Sequence, residues 1–128
     1  MRICLILSMV LLMACQNDET LSAYGAAGKT WVLTELDGAA FPARATLEFP
    51  QAGELAGQAP CNRFFGAQTV PYPWFKAENI AATKMACPDL PAEGQFLTAL
   101  SEMTLSEVLG DTMILSNDAG REMVFKAR

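Results

Sequence analysis

Residues 112–127 read TMILSNDAGREMVFKA, and the period of this stretch sets the class of fold. Thr112–Ser116 has the composition of a short strand, Asn117–Gly120 (NDAG) is a turn, and Arg121–Ala127 places Met123 and Phe125 on one face. The segment just upstream obeys a different period. In Pro91–Thr104 the residues Phe96, Leu97, Leu100 and Met103 form one apolar stripe at helical spacing. Pro91 suits a first helical turn, and Glu93 suits the positive end of a helix. This is the one helix that the pattern predicts.

Further back, the chain reads as short strands. Lys29–Asp37 (KTWVLTELD) alternates through Trp31 and Leu33, loses the alternation at Glu35, and ends in the turn signal Asp37-Gly38. Ala45–Pro50 (ATLEFP) puts Leu47 and Phe49 on one face, Gln51–Gly53 is a turn, and Glu54–Ala59 is the expected hairpin partner. Asn79–Cys87 (NIAATKMAC) is compatible with a strand or with irregular chain. No period of 20–50 residues repeats. One helix laid on an antiparallel sheet is an α+β domain.

The N-terminus has another character. Residues 1–14 (MRICLILSMVLLMA) contain only two polar side chains, Arg2 and Ser8. The apolar run is about a dozen residues, short of the ~20 that span a bilayer as a helix. A secretory signal is the better reading. Its end, Leu12-Met13-Ala14-Cys15, resembles a bacterial lipobox, with Leu at −3, a small residue at −1 and the cysteine that is acylated. That resemblance implies diacylation of Cys15, cleavage before it and N-acylation of the new terminus. Two or three acyl chains hold a protein stably on a membrane where one does not. The alternative is an ordinary secretory signal cut elsewhere, with Cys15 incidental. Gln16 stands where lipoproteins kept in the inner membrane usually carry Asp, which points to the outer membrane, on its periplasmic side. Residues 15–28 (CQNDETLSAYGAAG) then read as a small, polar tether with roughly 20 Å of reach. The expected layout is a signal at 1–14, a lipidated tether at 15–28 and one domain at 29–128.

Charge narrows the function. The whole chain carries 9 Lys+Arg against 14 Asp+Glu, a net −5, and no histidine. An acidic chain without a basic run argues against nucleic acid and against electrostatic docking on anionic lipid. The lack of His removes Ser-His and Cys-His catalytic pairs and His-based metal sites. Of four cysteines, Cys4 leaves with the signal and Cys15 is the acylation site, so Cys61 and Cys87 remain. In an exported protein such a pair reads as a disulfide, worth about 3–4 kcal/mol in the chain-entropy model; two nearby buried thiols are the alternative. Two thiols alone do not make a zinc site.

The sequence around that pair resembles a known family. Cys61-Asn62-Arg63-Phe64-Phe65-Gly66 and Thr83-Lys84-Met85-Ala86-Cys87-Pro88 look like the two signatures of the META domain, the HslJ-like family of small bacterial lipoproteins and heat-shock-associated proteins. Trp31-Val32-Leu33, Thr46-Leu47-Glu48-Phe49, Gly57, Glu93 with Phe96-Leu97 and Leu100, and Gly120 with Phe125 follow in family order. Pro60 stands where the family usually has Gly, and Lys84 where Arg is common. The resemblance covers residues 29–127. It implies an α+β domain in which a strongly curved antiparallel sheet, a partial barrel, carries one helix, similar to the pilot proteins of secretins. Heat shock, antibiotic tolerance and motility or secretion are the associations it brings.

Two places could make contacts. Asn62 and Arg63 read either as a polar recognition pair or as a turn-forming Asn, tolerant of left-handed backbone, beside a solvated Arg. In Val70–Phe75 (VPYPWF), Pro71 and Pro73 forbid a central strand, so Tyr72, Trp74 and Phe75 lie on an edge or loop. They form either a lid on the core or an exposed contact patch. Acid pairs such as Asp89/Glu93 and Glu102/Glu107 read as a solvated helix surface, and no G-x-S-x-G, P-loop or dinucleotide fingerprint is present. The expectation is therefore a monomeric, non-enzymatic, membrane-tethered module of envelope stress, with no cofactor and an envelope protein as partner. The alternative is a pilot-like carrier that holds an apolar ligand or secretion component in the concave face of the sheet.

Overall fold

The computed structural model describes residues 17–128. The signal sequence and Cys15 lie outside the described residues. Nine strands and one α-helix follow in order: β1 (Trp31–Leu36), β2 (Ala39–Ala40), β3 (Thr46–Leu47), β4 (Glu54–Gln58), β5 (Arg63–Ala67), β6 (Glu78–Ala82), α1 (Leu90–Glu102), β7 (Leu105–Leu109), β8 (Thr112–Ser116) and β9 (Glu122–Ala127). The fold is α+β, with every strand pair antiparallel.

One sheet runs β2-β1-β9-β8-β7, with β3 also paired to β1; the other runs β4-β5-β6. They are stitched where Glu48 and Ala56 exchange backbone hydrogen bonds of 2.7 and 2.9 Å. Here β3 and β4 approach so closely that a Cβ on Gly57 would stand 2.0 Å from the Thr46 carbonyl oxygen. Only glycine fits. The two sheets wrap as one strongly curved but open surface around Trp31, Leu47, Phe64, Phe96, Leu100, Met113, Met123 and Phe125, all essentially removed from water.

Local chemistry accounts for the elements. The Asp37-Gly38 turn has φ of 51° and 80° at its two central residues, the left-handed pair that matches the twist of a hairpin. Glu35 breaks the alternation of β1 because the register against β9 slips between Leu33 and Glu35, a bulge at Thr34. In α1, Phe96, Ala99 and Leu100 are buried, and the Phe96 ring meets Phe64 at 5.5 Å in an edge-on contact. Met103, just past the helix, completes the stripe.

Three expectations are corrected. The segment 17–28 is not a free tether: Leu21–Tyr24 forms a 3-10 turn, and Leu21 and Ala26 are part of the core. Trp31 donates its indole N–H to the Ala26 carbonyl at 2.9 Å, which ties the segment down. The expected hairpin between Ala45–Pro50 and Glu54–Ala59 reduces to the Glu48–Ala56 bridge, because Thr46–Leu47 pairs with β1 instead. The helix ends at Glu102, and strand β7 follows within three residues.

Candidate functional site

The two signature segments and the first turn of α1 converge on Asn62. Cys61 and Cys87 are disulfide-bonded, with Cα atoms 5.6 Å apart, and this brings the loop after β6 against the start of β5. The turn at residues 59–62 is closed by the Ala59 amide donating to the Asn62 carbonyl at 2.8 Å, and Pro60, which has no N–H to satisfy, lies inside it.

Asn62 is buried, and its side chain uses all four of its hydrogen-bonding positions. Nδ2 donates to the Met85 carbonyl at 2.9 Å and to Glu93 Oε2 at 2.7 Å. Oδ1 accepts from the Met85 amide at 2.6 Å and from the Thr83 hydroxyl at 2.9 Å. Glu93 is buried as well. Its Oε1 accepts from the backbone amides of Cys61 and Asn62 at 3.0 and 2.7 Å. A carboxylate can leave water only when donors replace its hydration, and three N–H groups do so here. Thr83 closes the ring, accepting from the Arg63 amide at 3.2 Å.

Chemically this is a clamp. Its polar atoms face one another, so the signature residues hold loop, strand and helix in register. Around it stand side chains that make no such bonds. Phe65 is 61% exposed on β5 between Ala56 and Ala81, its cross-strand neighbours, and Met85 is 67% exposed. Arg63 and Lys84 are exposed and pair with no carboxylate among the described residues. A shallow depression of about 270 Å³ lies between Asn62, Met85 and Leu90.

These positions revise the sequence reading. Asn62 is not a left-handed turn residue, since positive φ among non-glycine residues occurs only at Asp37 and Asn79 within the described chain, and its side-chain polar atoms are engaged inside the clamp. Arg63 is solvated. Glu93, expected on a solvated helix face, is buried, and the exposed Thr83 gives its hydroxyl to Asn62; neither was singled out as a site residue. The aromatic stretch divides. Phe75 is core, Tyr72 is half-buried, and Trp74 is exposed. This stretch lies along the β7 edge, where the Phe75 amide donates to the Thr104 carbonyl and the Ser106 amide to that of Pro73. It is thus separate from the Asn62 clamp.

A second polar group ties the opposite loops. Arg121 reaches Asp37 Oδ2 at 2.8 Å and Glu102 Oε2 at 2.9 Å. The Arg121 guanidinium, helped by the Glu122 amide, holds the Asp37 carboxyl below its ordinary range.

The architecture has counterparts in known proteins. The META domain family model matches residues 19–128. The chain belongs to the META domain family. The match starts ten residues before Lys29, in keeping with the buried Leu21. Among solved structures, this META domain is similar to a protein from Burkholderia xenovorans determined by NMR, with 25% identity and a TM-score of 0.68 over 84% of this chain and 86% of that one. A second NMR structure of a protein gives 19% identity and a TM-score of 0.60, over 77% and 87% of the two chains. A DUF4847 family protein from Bacteroides vulgatus shares the fold at 14% identity, with a TM-score of 0.63 over 82% and 95%. No curated protein matches the sequence at a significant level.

Proposed function

We propose that this META domain protein is a non-enzymatic accessory module of the cell envelope, acting under stress while tethered to the periplasmic side of the outer membrane by acyl chains on Cys15. The tether is supported by the apolar N-terminus and the Leu12-Met13-Ala14-Cys15 sequence. The observation that carries the mode of action is the internal use of the signature. Asn62, Thr83 and Glu93 spend their polar atoms on one another, while Arg63, Phe65, Lys84 and Met85 are displayed around them. A rigid platform bearing two cations and two large apolar groups, on an otherwise acidic protein, suits a partner surface that is apolar and acidic.

The pilot-like carrier finds less support. An apolar ligand in the concave face would have to displace Phe96 and Leu100, which already fill it.

The test is a photoreactive phenylalanine analogue at Phe65 in cells making the full chain. A discrete membrane-associated adduct is expected, lost in the double variant Arg63→Glu, Lys84→Glu and kept in Trp74→Ala. An adduct pattern indifferent to the two charges would overturn the proposal.

A further inference from the structure

The packed N-terminal segment changes what a lipid anchor would do. The fold takes hold of the chain at Glu19, whose carbonyl accepts from the Tyr72 amide at 2.7 Å, while Asp18 Oδ1 accepts locally from the Thr20 amide at 2.8 Å and hydroxyl at 2.6 Å. Gln16, Asn17 and Asp18 therefore separate Cys15 from the fixed chain, a span of roughly 13 Å even when fully extended. A flexible tether of 13 residues would let the domain tumble. Three residues do not.

The pole on which the anchor would enter carries exposed apolar side chains. Tyr24 is 51% exposed, and its ring stacks on Tyr72 at 4.6 Å. Trp74 is 57% exposed and follows a turn closed by its own amide donating to the Pro71 carbonyl at 2.9 Å. Leu109 is 61% exposed and follows Val108, whose amide donates to the Tyr72 hydroxyl at 3.3 Å. Tyr24 and Trp74 flank Tyr72, which itself holds Glu19, while Leu109 projects from the other face of its strand.

Resting on the lipid-anchor reading above, we infer that this pole is a membrane-docking surface, with Trp74 and Tyr24 seated at the headgroup level of the bilayer. Trp and Tyr favour that depth because one end of the ring is apolar and the other wet. Asp18 and Glu19, at the start of the same segment, disfavour anionic headgroups, so the matching surface is a zwitterionic one. Docking in this way would fix the orientation of the domain on the membrane.

The experiment uses full-length protein recovered from membranes, its acylation read by intact mass, in phosphatidylcholine and phosphatidylethanolamine vesicles containing brominated phosphatidylcholine. Trp31 is fully buried, so the difference between wild type and Trp74→Phe isolates the Trp74 emission. Expected are a blue shift, quenching of at least half the Trp74 signal by the brominated lipid, and several-fold protection from acrylamide relative to soluble Cys15→Ser. Adding phosphatidylglycerol should not increase the effect. Acylated protein whose Trp74 remains as accessible to acrylamide as in the soluble form would overturn the docking surface alone. Protection in native membranes but not in protein-free vesicles would also overturn it and assign Trp74 to a protein contact. A Cys15 without acyl chains would overturn the anchor and this inference with it.

Discussion

Glu93 Oε2 lies 2.7 Å from Asn62 Nδ2, so a carboxylate from the first turn of the helix is buried against the side chain that opens strand β5. The contact spans 31 residues of sequence and, with the Phe64–Phe96 ring contact, joins the first signature segment to α1. Glu93→Ala should leave the Cys61 and Asn62 amides and Asn62 Nδ2 without their acceptor and cost about 2–4 kcal/mol. Glu93→Gln should cost less but not nothing, since its amide would confront Asn62 Nδ2 donor to donor. Urea unfolding measures both; an alanine variant within 0.5 kcal/mol of wild type would show that the clamp is not structural.

The disulfide acts on the same loop. Protein exported to an oxidising compartment should resist alkylation at Cys61 and Cys87 and weigh two hydrogens less than the reduced form. Cys61→Ala should lower stability by about 2–5 kcal/mol. Full alkylation of both without prior reduction would establish free thiols.

At the anchor, metabolic labelling with a fatty-acid analogue should mark wild type and leave Cys15→Ser unmarked. Equal labelling of the two, or a mature product beginning at another residue, would refute acylation there.

Neighbours in the aromatic stretch should behave oppositely. Phe75→Ala removes a buried ring and should cost about 3–5 kcal/mol. Trp74→Ala changes an exposed side chain and should stay within about 0.5 kcal/mol of wild type in thermal or chemical unfolding. A large loss at Trp74 would make it a lid on the core and remove the case for a contact there.

Acid should weaken the Asp37–Arg121 tie. The folded state lowers the Asp37 pKa, chiefly through its hydrogen bond with Arg121. Its contribution is therefore complete above the ordinary aspartate value and is lost as pH falls through the depressed one. Because both side chains are partly exposed, the effect is small and fades with salt. Stability of wild type and Asp37→Asn, compared between pH 6 and pH 2, should converge at the acid end; a constant gap would exclude the linkage.

How far these features were legible follows from which residues obey a period. The β8–β9 hairpin, the Asp37-Gly38 turn and the stripe through Phe96 and Leu100 were readable because burial there matches spacing. Strand β7 was not assigned because its pattern is inverted. Ser106 is buried, bonding the Pro73 carbonyl through both its amide and hydroxyl, while Leu109 faces solvent. The N-terminal segment misled for a similar reason: small residues such as Ala26 look like linker until Trp31 is seen to need their carbonyl. Of the clamp, the cysteine pair was legible as the two cysteines left to an exported domain, and Asn62 through the family signature. The burial of Glu93 was not, since an acidic residue in a first helical turn ordinarily faces water.

The pairing of β1 with β9 has a temporal side. Trp31 lies opposite Ala127, and the Arg128 amide bonds the Thr30 carbonyl at 2.9 Å, so the first strand of the larger sheet finds its central partner only in the last one. Non-local pairing of this kind is slow to form. A chain growing from its N-terminus cannot complete it until residues 122–127 have been made. Until then β1 has only the short β2 and β3 to pair with, and the larger sheet stays open along its centre.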